Sequence, residues 1–339
     1  MPRAIAAIVL LVVTGPPARA EDFPHAVIKN EKLTFTLYDA DASKGFYRGT
    51  RFDHAGVFGS VEFAGHKVFG PWKGTHDPAN HDDIVGPCEE FGIDTPLGYD
   101  AAKAGGTFLK IGVGELEKPK EAKYSFAHKY KIVAPVVWER RPIDPEADFV
   151  GEIPRGARDQ IWRTGQKANG YAYSYSKVVY AAGATIGLTH RLKNTGEKRI
   201  VTDCYNHNFF NVDGDPVGPN YSLVFSFEPK AKDLKGKFGD LVELKGNEFR
   251  FKDTLPNGAD LMATLTGFDA KEKKPWFEMR HAPSGVRVKV ECDYPLAKFN
   301  VWGIKPTICP EPYLAIDLKP GEEVKWSVTY TFTHDLPKK

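Results

Sequence analysis

Apolar and polar residues alternate with a period of two from one end of this chain to the other, and no sustained 3.6-residue apolar stripe interrupts them. The alternation is clearest at Lys32 to Tyr38, Tyr171 to Tyr180, Thr185 to Leu192, Ser222 to Phe227 and Val324 to Phe332. Successive side chains of an extended backbone point to opposite faces, so each segment carries one apolar face that must be paired and packed. Turn chemistry closes several of them, at Lys193-Asn194-Thr195-Gly196-Glu197, Asp213-Gly214-Asp215-Pro216, Leu255-Pro256-Asn257-Gly258 and Lys319-Pro320-Gly321-Glu322. The 32 Gly, 25 Pro and 12% aromatic residues suit short strands joined by turns. The one short helix the pattern admits is Asp159 to Lys167. At the usual strand length the chain holds roughly fifteen to twenty strands, too many for one immunoglobulin-type sandwich. The expectation is an all-β protein, a large antiparallel β-sandwich. Gly114 to Lys123, charged and ending in Pro119-Lys120-Glu121, reads as an exposed hairpin tip, and no boundary divides 21–339 into separate domains.

Met1 to Ala20 has Arg3, an apolar run from Ala4 to Val13, a Gly-Pro-Pro break and Ala18-Arg19-Ala20, which is the order of a cleavable secretory leader. The run is far shorter than the roughly 20 residues a membrane span needs. The mature chain is therefore expected outside the cytoplasm, in a periplasm or beyond the cell, with cleavage after Ala20. Lys plus Arg number 46 and Asp plus Glu 44, and loss of Arg3 and Arg19 with the leader balances them. A neutral chain lacks the basic excess of a nucleic-acid binder. Cys88, Cys204, Cys292 and Cys309 match no zinc spacing. An oxidising compartment would permit three disulfide connectivities, while the alternation around Cys292 favours a buried free thiol there.

Two stretches carry a family resemblance. Leu192-Lys193-Asn194-Thr195-Gly196-Glu197-Lys198-Arg199-Ile200 precedes Tyr205-Asn206-His207-Asn208-Phe209-Phe210-Asn211-Val212-Asp213-Gly214, and Ile308-Cys309-Pro310-Glu311-Pro312-Tyr313 precedes Leu318-Lys319-Pro320-Gly321-Glu322. In this order, about 100 residues apart, they resemble the middle and the end of the aldose 1-epimerases, the galactose-mutarotase-like family. The resemblance covers about 185 to 335. Upstream it is a matter of style, as at Gly56 to Gly65, which is similar to an early strand pair. It implies a β-supersandwich with a sugar pocket on its concave face, no cofactor, and a monosaccharide or the end of a sugar chain as partner.

Carried over by motif, Glu311 would be the base that takes the anomeric hydroxyl proton and His207 the acid that protonates the ring oxygen. Asn206, beside His207, would help to orient the sugar. A carboxylate between Pro310 and Pro312 in a sparsely hydrated pocket should have its pKa raised. Typical family members carry a further pocket histidine and an arginine in a Leu-His-Gly-Gly context, and this chain has no such stretch. Gly86-Pro87-Cys88-Glu89-Glu90-Phe91-Gly92 could supply the missing wall instead, with Glu89 and Glu90 pointing opposite ways if extended. Arg51 is a second candidate clamp for a hydroxyl or carboxylate. His76, Asp77, His81, Asp82 and Asp83 fit no metal cage, and a solvated loop accounts for them without a metal. Trp72, Trp138, Trp162, Trp276 and Trp302 could stack on sugar rings, although aromatics mostly fill sandwich interiors. The alternatives are a non-catalytic carbohydrate-binding protein of the same fold, or a polysaccharide lyase or hydrolase relative. A hydrolase needs a second carboxylate roughly 5 to 10 Å from Glu311.

Overall fold

The computed structural model describes residues 22–142, 154, 157–231 and 237–335. The leader at 1–20 lies outside the described residues. The described residues form 23 strands and one short helix, Lys237–Leu241, and no helix among them is long and apolar enough to cross a membrane. Ten strands make the larger sheet, from Val242–Lys245 at one edge through Tyr221–Phe225, Val286–Cys292, Glu323–His334 and Thr185–Asn194 to Glu139–Arg141 at the other. A six-stranded sheet runs Lys230–Ala231, Leu261–Thr266, Lys298–Ile304, Thr307–Leu318, Ile200–His207, Cys88–Phe91. All pairings in both are antiparallel, so the architecture is the large antiparallel β-sandwich that the alternation predicts.

The two sheets share one core. Phe225 of the larger sheet meets Phe299 of the smaller edge to face at 5.4 Å, and Phe91 of the smaller sheet meets Tyr175 of the larger at 5.4 Å. Burial alternates along Val286–Cys292, as expected of strands with one wet face. Two smaller sheets flank this pair. His25–Lys29, Leu33–Tyr38, Val57–Phe63 and His66–Phe69 form one, and Thr107–Lys110, Gly114–Glu117 and Lys131–Pro135 form the other, which has its own cluster around Tyr99, Phe108 and Leu116.

Two sequence expectations change. Asp159 to Lys167 is not helical; it lies within the strand Arg158–Ala168, which pairs along its whole length with Tyr171–Ala182. The connection is Asn169-Gly170, both with left-handed φ (55° and 82°), a two-residue hairpin turn that fixes the register of both strands. Gly114 to Lys123 is an exposed tip only from Pro119 on, because Gly114–Glu117 is the middle strand of the three-stranded sheet and Leu116 and Lys118 are buried. All four cysteines are free and buried.

Candidate active site

Three neighbouring strands of the six-stranded sheet set the site. Their register pairs Asn300 with Glu311 and Tyr205 with Tyr313, so His207, two residues beyond Tyr205, comes level with Glu311. His207 Nε2 lies 3.3 Å from Glu311 Oε1. Burial along Thr307–Leu318 is continuous through Leu314 and alternates only afterwards, since loops roof the outer face of the sheet at this end. The strand carrying His207 stops there. Phe209 turns through left-handed backbone (φ 40°) and stacks on the imidazole at 3.9 Å, while Phe52 and Trp302 meet the same ring edge-on at 5.6 and 5.4 Å.

Burial governs the electrostatics. Glu311 is pushed up to about 7 by desolvation, against the opposing pull of Arg51 and of hydrogen bonds donated to Oε2 by Tyr313 Oη (3.1 Å) and Asn300 Nδ2 (3.4 Å). His207 is pushed well below the usual histidine range by desolvation and then by the Arg51 charge. Its Nδ1 is buried without a partner. A buried N–H left unmade costs more than an idle lone pair, so the proton of the neutral ring is assigned to Nε2, facing Glu311. Near neutrality Glu311 is thus partly protonated beside a neutral imidazole, and the pair shares at most one titratable proton.

Both residues line a cavity of about 310 Å³. Its apolar wall is Phe126, Phe209, Met262 and Trp302, and its polar wall includes Arg51, His81 and Asp260. Trp302 Nε1 donates to Asp260 Oδ1 at 2.6 Å, which fixes the indole as a flat rim. A volume of this size takes a monosaccharide-sized molecule.

The other candidates divide. Arg51 reaches the cavity with its guanidinium between the rings of Phe52 and Phe126, at 4.5 and 4.3 Å. Glu90 sits beneath it on the same side of its strand, fully buried and outside the cavity lining, with its carboxyl bonded to Arg51, Lys110 and Tyr205. Glu89 and Asn206 face the other way, into the space between the two large sheets, and this placement removes them from the substrate-binding set. Asn206 Nδ2 donates to Glu89 Oε1 at 3.1 Å, His190 Nε2 lies 3.1 Å from the same oxygen, and Lys177 pairs with Oε2. Burial pushes Glu89 up, but Lys177 and His190 outweigh it and hold the carboxyl at about 2. The acidic loop is split among partners: His76 pairs with Asp83 at 3.0 Å, Asp82 with Lys73, and His81 with Asp82 faces the cavity. Among the described residues no three metal-ligating groups come together.

Tyr313 and Asn300 are functional neighbours whose roles the sequence does not announce. Alternation along Lys298-Phe299-Asn300-Val301-Trp302 puts Asn300 on the face of Trp302, and that is the only local signal for it. His81, Phe126 and Asp260 come from loops, and of the three only His81 carries a sequence signal, as part of the cluster from His76 to Asp83.

Fold and cavity together define an all-β sandwich with a buried carboxyl–imidazole pair on the outer face of its smaller sheet. The same fold occurs in the Slr1438 protein of Synechocystis, with a TM-score of 0.57 and 13% identity over 95% of this chain and 99% of that one. A candidate aldose 1-epimerase of Escherichia coli K12 (0.53, 11%, covering 92% and 99%) and a galactose mutarotase-like protein of Clostridium acetobutylicum (0.53, 12%, covering 93% and 99%) also share it. The fold of this chain is that of the galactose-mutarotase-like proteins. No family model and no curated protein matches the sequence.

Proposed function

We propose that the protein is an exported, aldose 1-epimerase-like enzyme that interconverts the anomers of a sugar through Glu311 and His207. The observation that carries this reading is the 3.3 Å approach of His207 Nε2 to Glu311 Oε1 on the wall of a monosaccharide-sized cavity. The two sugar oxygens that exchange protons, O1 and O5, are bonded to one carbon, so acid and base must converge on adjacent points. This pair does. In the arrangement of the one-proton pair that has moved its proton from Glu311 to His207, the carboxylate takes the O1 proton, the imidazolium gives its proton to O5, and the C1–O5 bond breaks to leave an aldehyde and a free hydroxyl. Rotation about C1–C2 and the reverse transfers close the ring on the other face. Tyr313 and Asn300 hold the carboxyl through Oε2, which leaves Oε1 to the substrate. The cavity's apolar wall would lie against the sugar's C–H face, and Arg51 and Asp260 would meet hydroxyls.

The test is anomeric exchange, followed by polarimetry or proton NMR over neutral, amino and acidic sugars. Glu311→Gln keeps the shape but removes the base, so turnover should fall by about 10² to 10⁴ with little change in sugar affinity, and His207→Asn should behave alike. Sugar binding with no acceleration of exchange for any bound reducing sugar would defeat the enzyme reading and leave a binding module.

A further inference from the structure

Beneath Arg51 a second row of side chains crosses the sheet, two residues along from the Asn300–Glu311–His207 row. Tyr205 stacks on Tyr313 with ring centroids 4.4 Å apart, and its hydroxyl donates to Glu90 Oε2 at 2.6 Å. Glu90 has no exposed surface, yet it is bound by two cations: Arg51 Nε donates to Oε2 at 2.7 Å and Lys110 Nζ to Oε1 at 3.0 Å. Lys110 belongs to the three-stranded sheet, is itself buried, and is held in place by Gly92 O (3.2 Å) and Tyr124 Oη (3.1 Å). Arg51 Nη2 donates to Tyr205 Oη at 2.9 Å. Nε and Nη2 are thereby committed to the protein, which leaves Nη1 for an occupant of the cavity.

We propose that Glu90, fixed by Lys110, is a positioning residue that aims Arg51 at the cavity and offsets its charge at the Glu311–His207 pair. Arg51 from the loop after Leu33–Tyr38 and Glu90 from its own strand bear on Glu311, His207 faces it, and Lys110 from the three-stranded sheet acts through its pairing with Glu90. Tyr313 and Asn300 are its neutral donors, and His81, Asp82 and Asp260 complete the titratable lining of the cavity. Arg51 favours the ionised form of Glu311 and opposes protonation of His207. Glu90 acts on Glu311 in the opposite sense. Without the Glu90 charge the full guanidinium would face the pair, in a site where burial leaves little water to screen it.

The inference builds on the acid–base reading, but its test needs no turnover. The ionisation of Glu311 is followed by ¹³C NMR of labelled carboxyls, assigned by the signal missing in Glu311→Gln. In Glu90→Gln the Glu311 midpoint should fall, by up to about one pH unit, the order of shift a nearby charge gives a carboxyl. In Lys110→Met, which leaves Glu90 and Arg51 as a neutral pair, it should rise. If either single variant fails to fold by near-ultraviolet circular dichroism, the double variant Glu90→Gln/Lys110→Met, which buries fewer charges, decides instead. Its midpoint should lie below that of the wild type, because Arg51 then has no carboxylate partner. A folded Glu90→Gln or double variant in which Glu311 titrates as in the wild type overturns the proposal. Absence of anomeric exchange in the wild type would defeat the mutarotase reading alone and leave these shifts to be observed.

Discussion

At Glu311 burial pushes the pKa up, with the Glu90 charge acting in the same direction, and the Arg51 charge and two hydrogen-bond donors pull it down. The balance at about 7 places its proton loss above that of His207, which burial depresses. This order reverses the usual assignment of a glutamate to the acid limb of a pH profile and a histidine to the alkaline limb. Activity requires the pair to hold one proton, so kcat/KM should fall above about pH 7, as Glu311 gives up that proton, and fall again in acid, as His207 takes up a second. Tyr313→Phe deletes a donor that favours the carboxylate. The alkaline limb should therefore move upward, by about half to one pH unit, in polarimetric rates measured across pH. An unmoved or lowered limb would contradict the role given to the Tyr313 hydroxyl.

At the scale of strands, the short segment Cys88–Phe91 does most to shape the site, since Glu89 enters the core between the large sheets and Glu90 lies on the opposite face, beneath Arg51. Its close seat on the strand of His207 depends on Gly86: a Cβ there would lie 2.1 Å from the backbone oxygen of Asn208 and 3.1 Å from that of His207. These contacts are backbone and cannot swing aside. Gly86→Ala should push the two strands apart and cost about 1 to 3 kcal/mol of stability in urea unfolding, with a drop in exchange rate from the displaced His207. Unchanged stability and rate would show that the segment adapts. The strands themselves were largely legible, because alternation survives wherever one face is wet, as in Glu323–His334. Asp159 to Lys167 misleads as a helix because its polar positions do not alternate cleanly; the Asn169-Gly170 pair is the better local signal, as two left-handed residues in succession suit a tight hairpin and end a helix.

Across the whole molecule, Lys177 of the ten-stranded sheet and Glu89 of the six-stranded sheet form a buried ion pair at the centre of the sandwich, with His190 against the same carboxyl and Tyr175 bonded to the adjoining Asp53 at 3.1 Å. Lys177→Met takes the lysine cation from the buried Glu89 and leaves it only His190 and Asn206, both on Oε1, which should cost about 3 to 5 kcal/mol, while Lys177→Met/Glu89→Gln should recover much of that loss. Equal destabilisation of single and double variants in urea would mean that packing, not charge pairing, is what Lys177 supplies. The sequence by itself determined the all-β class, the strand faces, and the fact that Glu89 and Glu90 diverge, because side-chain direction in a strand is a local property of period two. It also marked Glu311 and His207 through motif order. Only the tertiary structure decided which of Glu89 and Glu90 lies beneath Arg51, that Asn206 belongs to the core, and that Asn300, His81 and Asp260 gather around the pair. Register between strands and the approach of distant loops are set by contacts more than 100 residues apart in the chain, as between Glu90 and Tyr205, and no local pattern encodes which of the two faces such contacts will cover.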